Sequence, residues 1–529
     1  MRILLVALLA WIAVPASAET WREAETRHFR IFSSGEEKAL VKFSERLEQF
    51  HTLLQLATGA NEANRRVVKV RVYLVPGIAD VVRLVDQPGS NIAGFYSPRE
   101  DGAIAVVPRS TGDGTFTGQL VLFHEYAHHY MLQYTPAAYP SWYVEGFAEI
   151  ASTASFERKG AITFGKAASH REWELDGASR YPVTKMLDGT YIADRARKRG
   201  WSYGDAWLLT HFLTFNDARR GQLRAYLNAI NSGRSHAEAA RAFGDLADLQ
   251  RQVSVYLSGG SFPYRAVPVD AGAAVAVNVR TLGPAEAALI DHTIEFGRRT
   301  DVPDEDDEEA DDDGADAGKG KKAKEPKVPF ETRRAEAERA RARWIGEIEA
   351  VANRFPDETA GWLLLADARC AAEEWAACNA AAARALAIEP GNGRGLVRKA
   401  EAELATIDDL PADQQEAAVE RARKAILTAM ATDIDDPVAQ LAFNRSYAGR
   451  PGPDGDSALT ALMSAVQLVP QQSGPRLTLA GEWMARGRLR DARTILRPLA
   501  YAPHESGASR QAQRLIAEID AQLASSDAE

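Results

Sequence analysis

Two histidines and a glutamate stand together in the segment His124-Glu-Tyr-Ala-His128. On a helix, His124 and His128 lie four residues apart, so both imidazoles face the same side and can bind one metal ion. Glu125 directly follows the first histidine, where such a carboxylate serves as the general base that takes a proton from an attacking water. This spacing predicts a zinc-dependent hydrolytic site on a helix.

A second acidic segment follows at Trp142-Tyr-Val-Glu145-Gly-Phe-Ala-Glu149. Glu145 can provide a third zinc ligand and leave the fourth position open for the water. Glu149 lies one helical turn further along the same face, where its carboxylate can fix the tautomer of a liganding histidine. If the two glutamates exchange these roles, the chemistry is unchanged.

Together the two segments resemble the gluzincin metallopeptidases, especially the small peptidase-MA-like proteins of bacteria. The resemblance covers roughly residues 20 to 260 and is strong only at the two active-site helices. It implies a Zn²⁺ cofactor with Glu145 as third ligand, and Glu149 behind a liganding histidine. It also implies that Tyr203 stabilises the oxyanion. An edge strand at Ala103 to Val107 would pair with the backbone of a peptide or protein substrate.

The other candidate side chains have competing interpretations. His129 is five residues from His124, about 140° further round a helix, so it is expected to point elsewhere and to serve as a surface or packing residue. His170 and His211 could donate hydrogen bonds in the reaction, although a structural role is favoured for each. Tyr203 is interpreted equally well as a packing residue.

The hydrophobic pattern predicts the elements that position these residues. Strands are expected at 26–33, 67–75, 92–96 and 103–107, with a further hairpin near 160–166. Helices are expected at 36–56, 117–134, 140–152, 201–216 and 221–232. This order indicates an α+β, thermolysin-like domain over residues 19–260, closed by a small Val-rich β/α element over residues 261–300.

The C-terminal part, residues 330–525, has an almost wholly helical pattern that prolines interrupt. The prolines at 437, 470 and 503 are separated by 33 residues each, which indicates an all-α, tetratricopeptide-like solenoid. Large and small residues match that repeat well in two units, around Trp362 to Pro390 and Leu479 to Leu496. Stacked helical pairs form a concave face, so the repeats could recruit a substrate or a protein partner.

Charge and cysteine content add further expectations for the 529-residue chain, whose net charge is -10. The stretch 301–329 holds twelve acids and five lysines, and we expect a solvated, disordered linker there. The sequence has no cluster of basic residues of the kind that indicates binding to nucleic acid. Cys370 and Cys378 could form a disulfide bond or remain two buried thiols.

The first 18 residues resemble a signal peptide, with Arg2, an apolar run and a cleavage site after Ala18. The apolar run is too short to span a bilayer comfortably, so no stable membrane span is expected after cleavage. These features predict a periplasmic or secreted protein.

Two functions of different classes follow. The first is a zinc metallopeptidase, more consistent with an endopeptidase, that cleaves exported proteins or peptides with Glu125 as general base. The second is a catalytically inactive, peptidase-like scaffold whose repeats bind a protein partner. The intact His124, Glu125, His128 and Glu145 favour the first.

Overall fold

The computed structural model describes most of the chain. Its described residues are 19–63, 65–86, 92–109, 117–157, 161–176, 180–189, 203–268, 275–302, 328–448, 455–502 and 506–526. The predicted signal peptide lies outside these residues, as does the predicted linker apart from its two ends. Within the described part of the chain, no helix combines the length and the apolar character that a membrane crossing requires.

Nine described strands form two sheets in the N-terminal part. They are β1 (Arg22–Glu25), β2 (Phe29–Ser33), β3 (Val70–Val75), β4 (Phe95–Ser97), β5 (Ile104–Pro108), β6 (Ser155–Phe156), β7 (Ala161–Phe164), β8 (Arg265–Pro268) and β9 (Asn278–Thr281). The larger sheet has the order β4-β5-β3-β2-β1-β9, and the smaller has the order β6-β7-β8. In the larger sheet, β2, β3 and β5 are parallel, and the outer pairs are antiparallel.

Twelve described α-helices accompany these strands. They are α1 (Glu37–Thr58), α2 (Ile78–Val85), α3 (Gly118–Tyr134), α4 (Ser141–Ser152), α5 (Glu172–Leu175), α6 (Val183–Leu187), α7 (Tyr203–Phe215), α8 (Asp217–Asn231), α9 (His236–Ala240), α10 (Leu246–Ser258), α11 (Pro284–Ala288) and α12 (Ile290–Thr300). The predicted α+β character of this part is confirmed; the predicted elements occur with ends shifted by a few residues, and elements such as β1 and α2 were not predicted.

The larger sheet is buried on both faces. Successive side chains along each strand point to opposite faces, and apolar residues occupy both. Ile31 and Val72 belong to the side that packs on α1 and α3. Phe32 and Tyr73, each one residue further along, belong to the core on the opposite side, with α2 and α12. The sheet therefore holds α3 firmly on one side.

The position of β5 differs from the prediction. The segment Ala103 to Val107 was expected to form an edge strand, but β5 lies inside the sheet between β4 and β3. The edge is β4, because the hairpin folds β4 onto the outer side of β5. The Val-rich segment is also divided: Val267 pairs with Ile162 in the smaller sheet, and Val279 pairs with Ala24 in the larger.

The C-terminal part is an array of helices packed in consecutive pairs. The helices are α13 (Phe330–Arg354), α14 (Thr359–Ala371), α15 (Trp375–Ile388), α16 (Gly393–Ala405), α17 (Ala412–Thr432), α18 (Pro437–Arg445), α19 (Gly455–Leu468), α20 (Ser473–Ala485), α21 (Leu489–Ala500) and α22 (Gly507–Ser526). Pro437 begins α18, and Pro390 and Pro470 lie in the connections between pairs. A disulfide bond joins Cys370 of α14 to Cys378 of α15.

Candidate functional site

Helix α3 carries the histidine pair and begins against the end of β5. The Thr117 hydroxyl accepts a hydrogen bond from the Leu120 amide at 3.1 Å and caps the helix. At Gly118, a Cβ atom would lie 2.8 Å from the carbonyl oxygen of Pro108, so this close approach requires glycine. Cap and glycine together fix where the helix starts, and so where both histidines lie.

Helix α4 brings the two glutamates beside α3. A Cβ atom at Gly146 would lie 2.4 Å from the Ala206 carbonyl oxygen and 2.0 Å from the Thr210 hydroxyl, so only glycine lets α4 approach α7 so closely. Glu145 and Glu149 are both fully buried, although carboxylates are seldom buried without partners. This packing directs both carboxylates to the histidine side of α4.

The structure brings His124, His128 and Glu145 together. The two Nε2 atoms are 3.0 Å apart. Oε2 of Glu145 lies 3.3 Å from Nε2 of His124 and 3.5 Å from Nε2 of His128. One candidate ligand atom from each residue lies within 4.8 Å of the other two, so the three side chains are close enough to share one metal ion.

Glu149 lies on the far side of His124 from Glu145. Its Oε1 is 3.4 Å from Nδ1 of His124. Its Oε2 lies 2.7 Å from Nε2 of His170, and Arg171 donates to its Oε1 at 2.7 and 3.1 Å. The carboxylate can therefore orient His124, and two basic side chains hold it in place.

These contacts shift the pKa values of the acids and of His124. Burial opposes ionisation of Glu145, but the charge of His128 and hydrogen bonds with both histidines hold its pKa well below the usual range. Burial likewise opposes ionisation of Glu149, whose pKa falls to about 2 through the hydrogen bond with His170 and the charges of His124 and Arg171. Burial disfavours protonated His124, yet its glutamate neighbours raise its pKa to about 9.

Glu125 is partly exposed on the same helix. Burial, and then the charge of Glu125, raise the pKa of Tyr96 in β4 well above its ordinary value, so the carboxylate lies near that strand. The Tyr96 hydroxyl is 2.8 Å from Nδ1 of His129, which is buried. His129 is thus a buried packing residue that contacts Tyr96, which is one of its two predicted roles.

Tyr203 lies at the start of α7, beside the histidine pair. Its ring centroid is 6.0 Å from that of His124, edge to face. The Arg171 guanidinium lies 4.2 Å from the centre of the Tyr203 ring. Glu174 accepts a hydrogen bond from the Gly204 amide at 2.7 Å and pairs with Arg171 at 3.4 Å. Arg171 therefore contacts both Tyr203 and Glu149, and Glu174 holds Arg171 and the start of α7.

His211 makes its hydrogen bonds with residues outside the group formed by His124, His128 and Glu145. Its Nε2 is 2.8 Å from the Gly165 carbonyl oxygen and its Nδ1 is 2.9 Å from the Tyr256 hydroxyl, so its role is structural. His170 instead supports Glu149. Arg171 and Glu174 were not expected from the sequence, because no spacing links them to the histidine motif.

The repeats pack against the N-terminal part near α3. Gln471, between α19 and α20, donates to the Gln133 side chain at 3.1 Å and to the His129 carbonyl oxygen at 3.4 Å. Arg66 pairs with Asp435, and Arg445 pairs with Glu100. The N-terminal part therefore covers some of the surface of the repeats.

Comparisons with known proteins give solved structures only; no family model matches, and no curated protein matches. A thermophilic TPR protein from Thermus thermophilus shares 17% identity over 34% of this chain and 93% of its own, with a TM-score of 0.30. The APC/C hetero-tetramer Cut9-Hcn1 shares 11% identity over 75% and 68%, with a TM-score of 0.28. The human IFIT1 dimer with PPP-AAAA shares 13% over 65% and 77%, with a TM-score of 0.24.

Proposed function

We propose that the N-terminal part of this protein is a zinc-dependent peptidase that cleaves exported proteins or peptides. The observation that carries the proposal is the convergence of His124, His128 and Glu145, whose ligand atoms lie within 4.8 Å of one another. Two residues come from one helix and the third from the next, so the arrangement depends on the packing of α3 against α4.

The donor set suits zinc. Two imidazole nitrogens and one carboxylate oxygen make up a ligand set of catalytic zinc, which keeps a fourth position open. A bound Zn²⁺ would polarise a substrate carbonyl and acidify a water molecule. The outer contact of His124 with Glu149 at 3.4 Å has the form of the carboxylate–histidine pairs that support such ligands.

The other side chains have roles consistent with peptide hydrolysis. Glu125 accepts the proton of the attacking water and passes it to the leaving amine. Tyr203 donates a hydrogen bond to the oxyanion. Among the described strands the edge is β4 rather than β5, so β4 would offer backbone groups to an extended substrate, and it packs beside α3, the helix that carries Glu125. A substrate that pairs with an edge strand can extend beyond the site in both directions, which favours an endopeptidase.

The proposal is tested with purified full-length protein, a mixed peptide substrate and measurement of bound zinc. Glu125→Gln should retain zinc and lose cleavage by at least about 100-fold, because it removes only the base. Glu172→Gln, an exposed glutamate on α5, is the matched control and should behave like the parent. Absence of bound zinc, or unchanged cleavage in Glu125→Gln, would overturn the proposal.

A second candidate function is a non-catalytic scaffold whose repeats bind a protein partner. It is favoured by the length of the helical array, since stacked helical pairs offer an extended binding surface. A partner would occupy surface other than that already used by residues such as Gln471 and Arg445. The scaffold predicts no cleavage by the parent protein, and it predicts the same zinc content in His124→Ala/His128→Ala as in the parent, so these two measurements separate the functions.

A further inference from the structure

A second group of side chains whose types and spacing suit a metal ion lies in the core of the N-terminal part. His28 precedes β2, His51 lies on α1, and Glu62 follows α1. Their exposed fractions are 6%, 2% and 6%, so all three are buried. One nitrogen or oxygen atom from each lies within 4.8 Å of the other two. None of them belongs to the site on α3 and α4.

Both histidines have an outer hydrogen-bond partner. Nδ1 of His28 lies 2.7 Å from Oε2 of Glu48, whose Oε1 accepts from the His28 amide at 2.8 Å. Nδ1 of His51 lies 2.7 Å from the Tyr126 hydroxyl on α3. Each partner fixes one nitrogen and leaves Nε2 for the centre of the group, as the outer partners of metal-bound histidines do.

Glu62 is held in the same way. The Tyr130 hydroxyl donates to its Oε1 at 2.6 Å. Its Oε2 then faces the two Nε2 atoms, at 2.9 Å from that of His51 and 4.0 Å from that of His28. Three candidate ligand atoms therefore converge, and each is oriented by a contact on its outer side.

Tyr134, a further polar residue, borders both histidines. The Tyr134 ring packs edge-on against His51 at 5.1 Å and His28 at 6.4 Å. Its hydroxyl is buried and has no hydrogen-bond partner within the described part of the chain. A buried hydroxyl normally finds a partner, and a water bound to a central ion would provide one.

We propose that His28, His51 and Glu62 form a second, structural site for a divalent cation of the zinc class. The ion would offset the charge of two buried carboxylates, Glu48 and Glu62, which are costly to bury uncompensated. It would join α1 and the start of β2 to Tyr126 and Tyr130 of α3 through the outer contacts. This site does not depend on the proposed peptidase function.

Binding requires one rearrangement. The two imidazole rings are stacked, with centroids 3.7 Å apart and 19° between their planes, so their Nε2 lone pairs lie in two nearly parallel planes that are offset from each other. The rings must tilt apart for both Nε2 atoms to face one ion. In the site on α3, the rings of His124 and His128 are already at 85° with centroids 4.7 Å apart. Without an ion, the same residues form a buried hydrogen-bond network.

The test counts zinc atoms per chain in the full-length protein. We expect two in the parent, one in His124→Ala/His128→Ala, and none when Glu62→Gln is added to that double variant. If the proposed peptidase site binds no zinc but this site does, the parent holds one and Glu62→Gln alone holds none. Glu45→Gln, on the same helix α1, is the matched control and should leave the zinc count unchanged.

A second measurement tests the proposal without the Glu62→Gln variant, in case that variant does not fold. Added Zn²⁺ should raise the Tm of metal-free His124→Ala/His128→Ala protein, and Co²⁺ should give the visible absorption of a nitrogen and oxygen site. No Tm shift and no second zinc atom would overturn the proposal and leave a hydrogen-bond network only.

Discussion

Oε1 of Glu149 lies 3.4 Å from Nδ1 of His124, on the opposite side of the imidazole from Glu145. The ring of His124 is therefore held between two buried carboxylates, one facing the proposed metal position and one behind it. His170 and Arg171 hold the outer carboxylate in turn. Much of the proposed chemistry depends on this sequence of contacts.

Replacement of Glu149 should weaken metal binding without removing a ligand. We expect Glu149→Gln to raise the Kd for zinc by about 10- to 100-fold, because the amide supports the His124 ring less well than the carboxylate. Competition with a chromogenic chelator measures the change. Glu172→Gln provides the control. An unchanged Kd would show that Glu149 does not support the ligand.

Tyr203 should act on the rate of the reaction and not on metal binding. We expect Tyr203→Phe to lower kcat by about 100-fold with little change in KM and the same zinc content, because it removes a donor to the oxyanion. Tyr139→Phe is the control, because the Tyr139 hydroxyl donates to the Thr135 carbonyl oxygen at 3.0 Å, within its own segment of the chain. If kcat is unaffected, Tyr203 is a packing residue.

The raised pKa of His124 gives the metal-free protein a pH dependence. The ordinary histidine pKa is about 6.5, and the folded value is about 9. A raised folded pKa gives stability that is fully present below pH 6.5 and is lost as pH rises through 9. Urea unfolding with a chelator present should therefore show the parent losing stability between about pH 6.5 and 9. His124→Gln should not show this loss, and equal slopes would contradict the assignment.

Zinc binding should have the opposite dependence on pH. Protonated His124 cannot bind a metal, so binding releases its proton. The apparent Kd for zinc should fall as pH rises from about 6.5 towards 9. Calorimetry in two buffers of different ionisation enthalpy would count the released protons. A count of zero would contradict the assigned protonation.

Arg497 of α21 should stabilise the contact between the repeats and the N-terminal part. It donates to the carbonyl oxygens of Ile230 and Asn231 at the end of α8. We expect Arg497→Ala to destabilise this contact by about 2 kcal/mol, because two charged hydrogen bonds are lost. Hydrogen exchange should increase at the end of α8. Arg490→Ala, on the exposed side of α21, should leave exchange there unchanged.

The local periodicity of the sequence was enough to predict which nearby side chains share a helix face and where long helical segments occur. The four-residue spacing of His124 and His128 places both imidazoles on one face of any helix, and the spacing of Glu145 and Glu149 does the same on the next helix. The helical character of residues 330–525 also followed from the sequence, with Pro390, Pro437 and Pro470 at or beside connections, while Pro503 lies outside the described residues. These features depend on residues near one another along the chain.

Only the tertiary structure decided which distant segments meet. An alternating strand pattern shows which residues face a core but not which strand lies beside it, so β5 lies inside the sheet although an edge strand was expected. No single spacing along the chain relates His28, His51 and Glu62. These residues converge through the packing of β2, α1 and α3. The contact of Arg171 with Tyr203 and Glu149 has the same origin, because long-range packing is selected by the whole core.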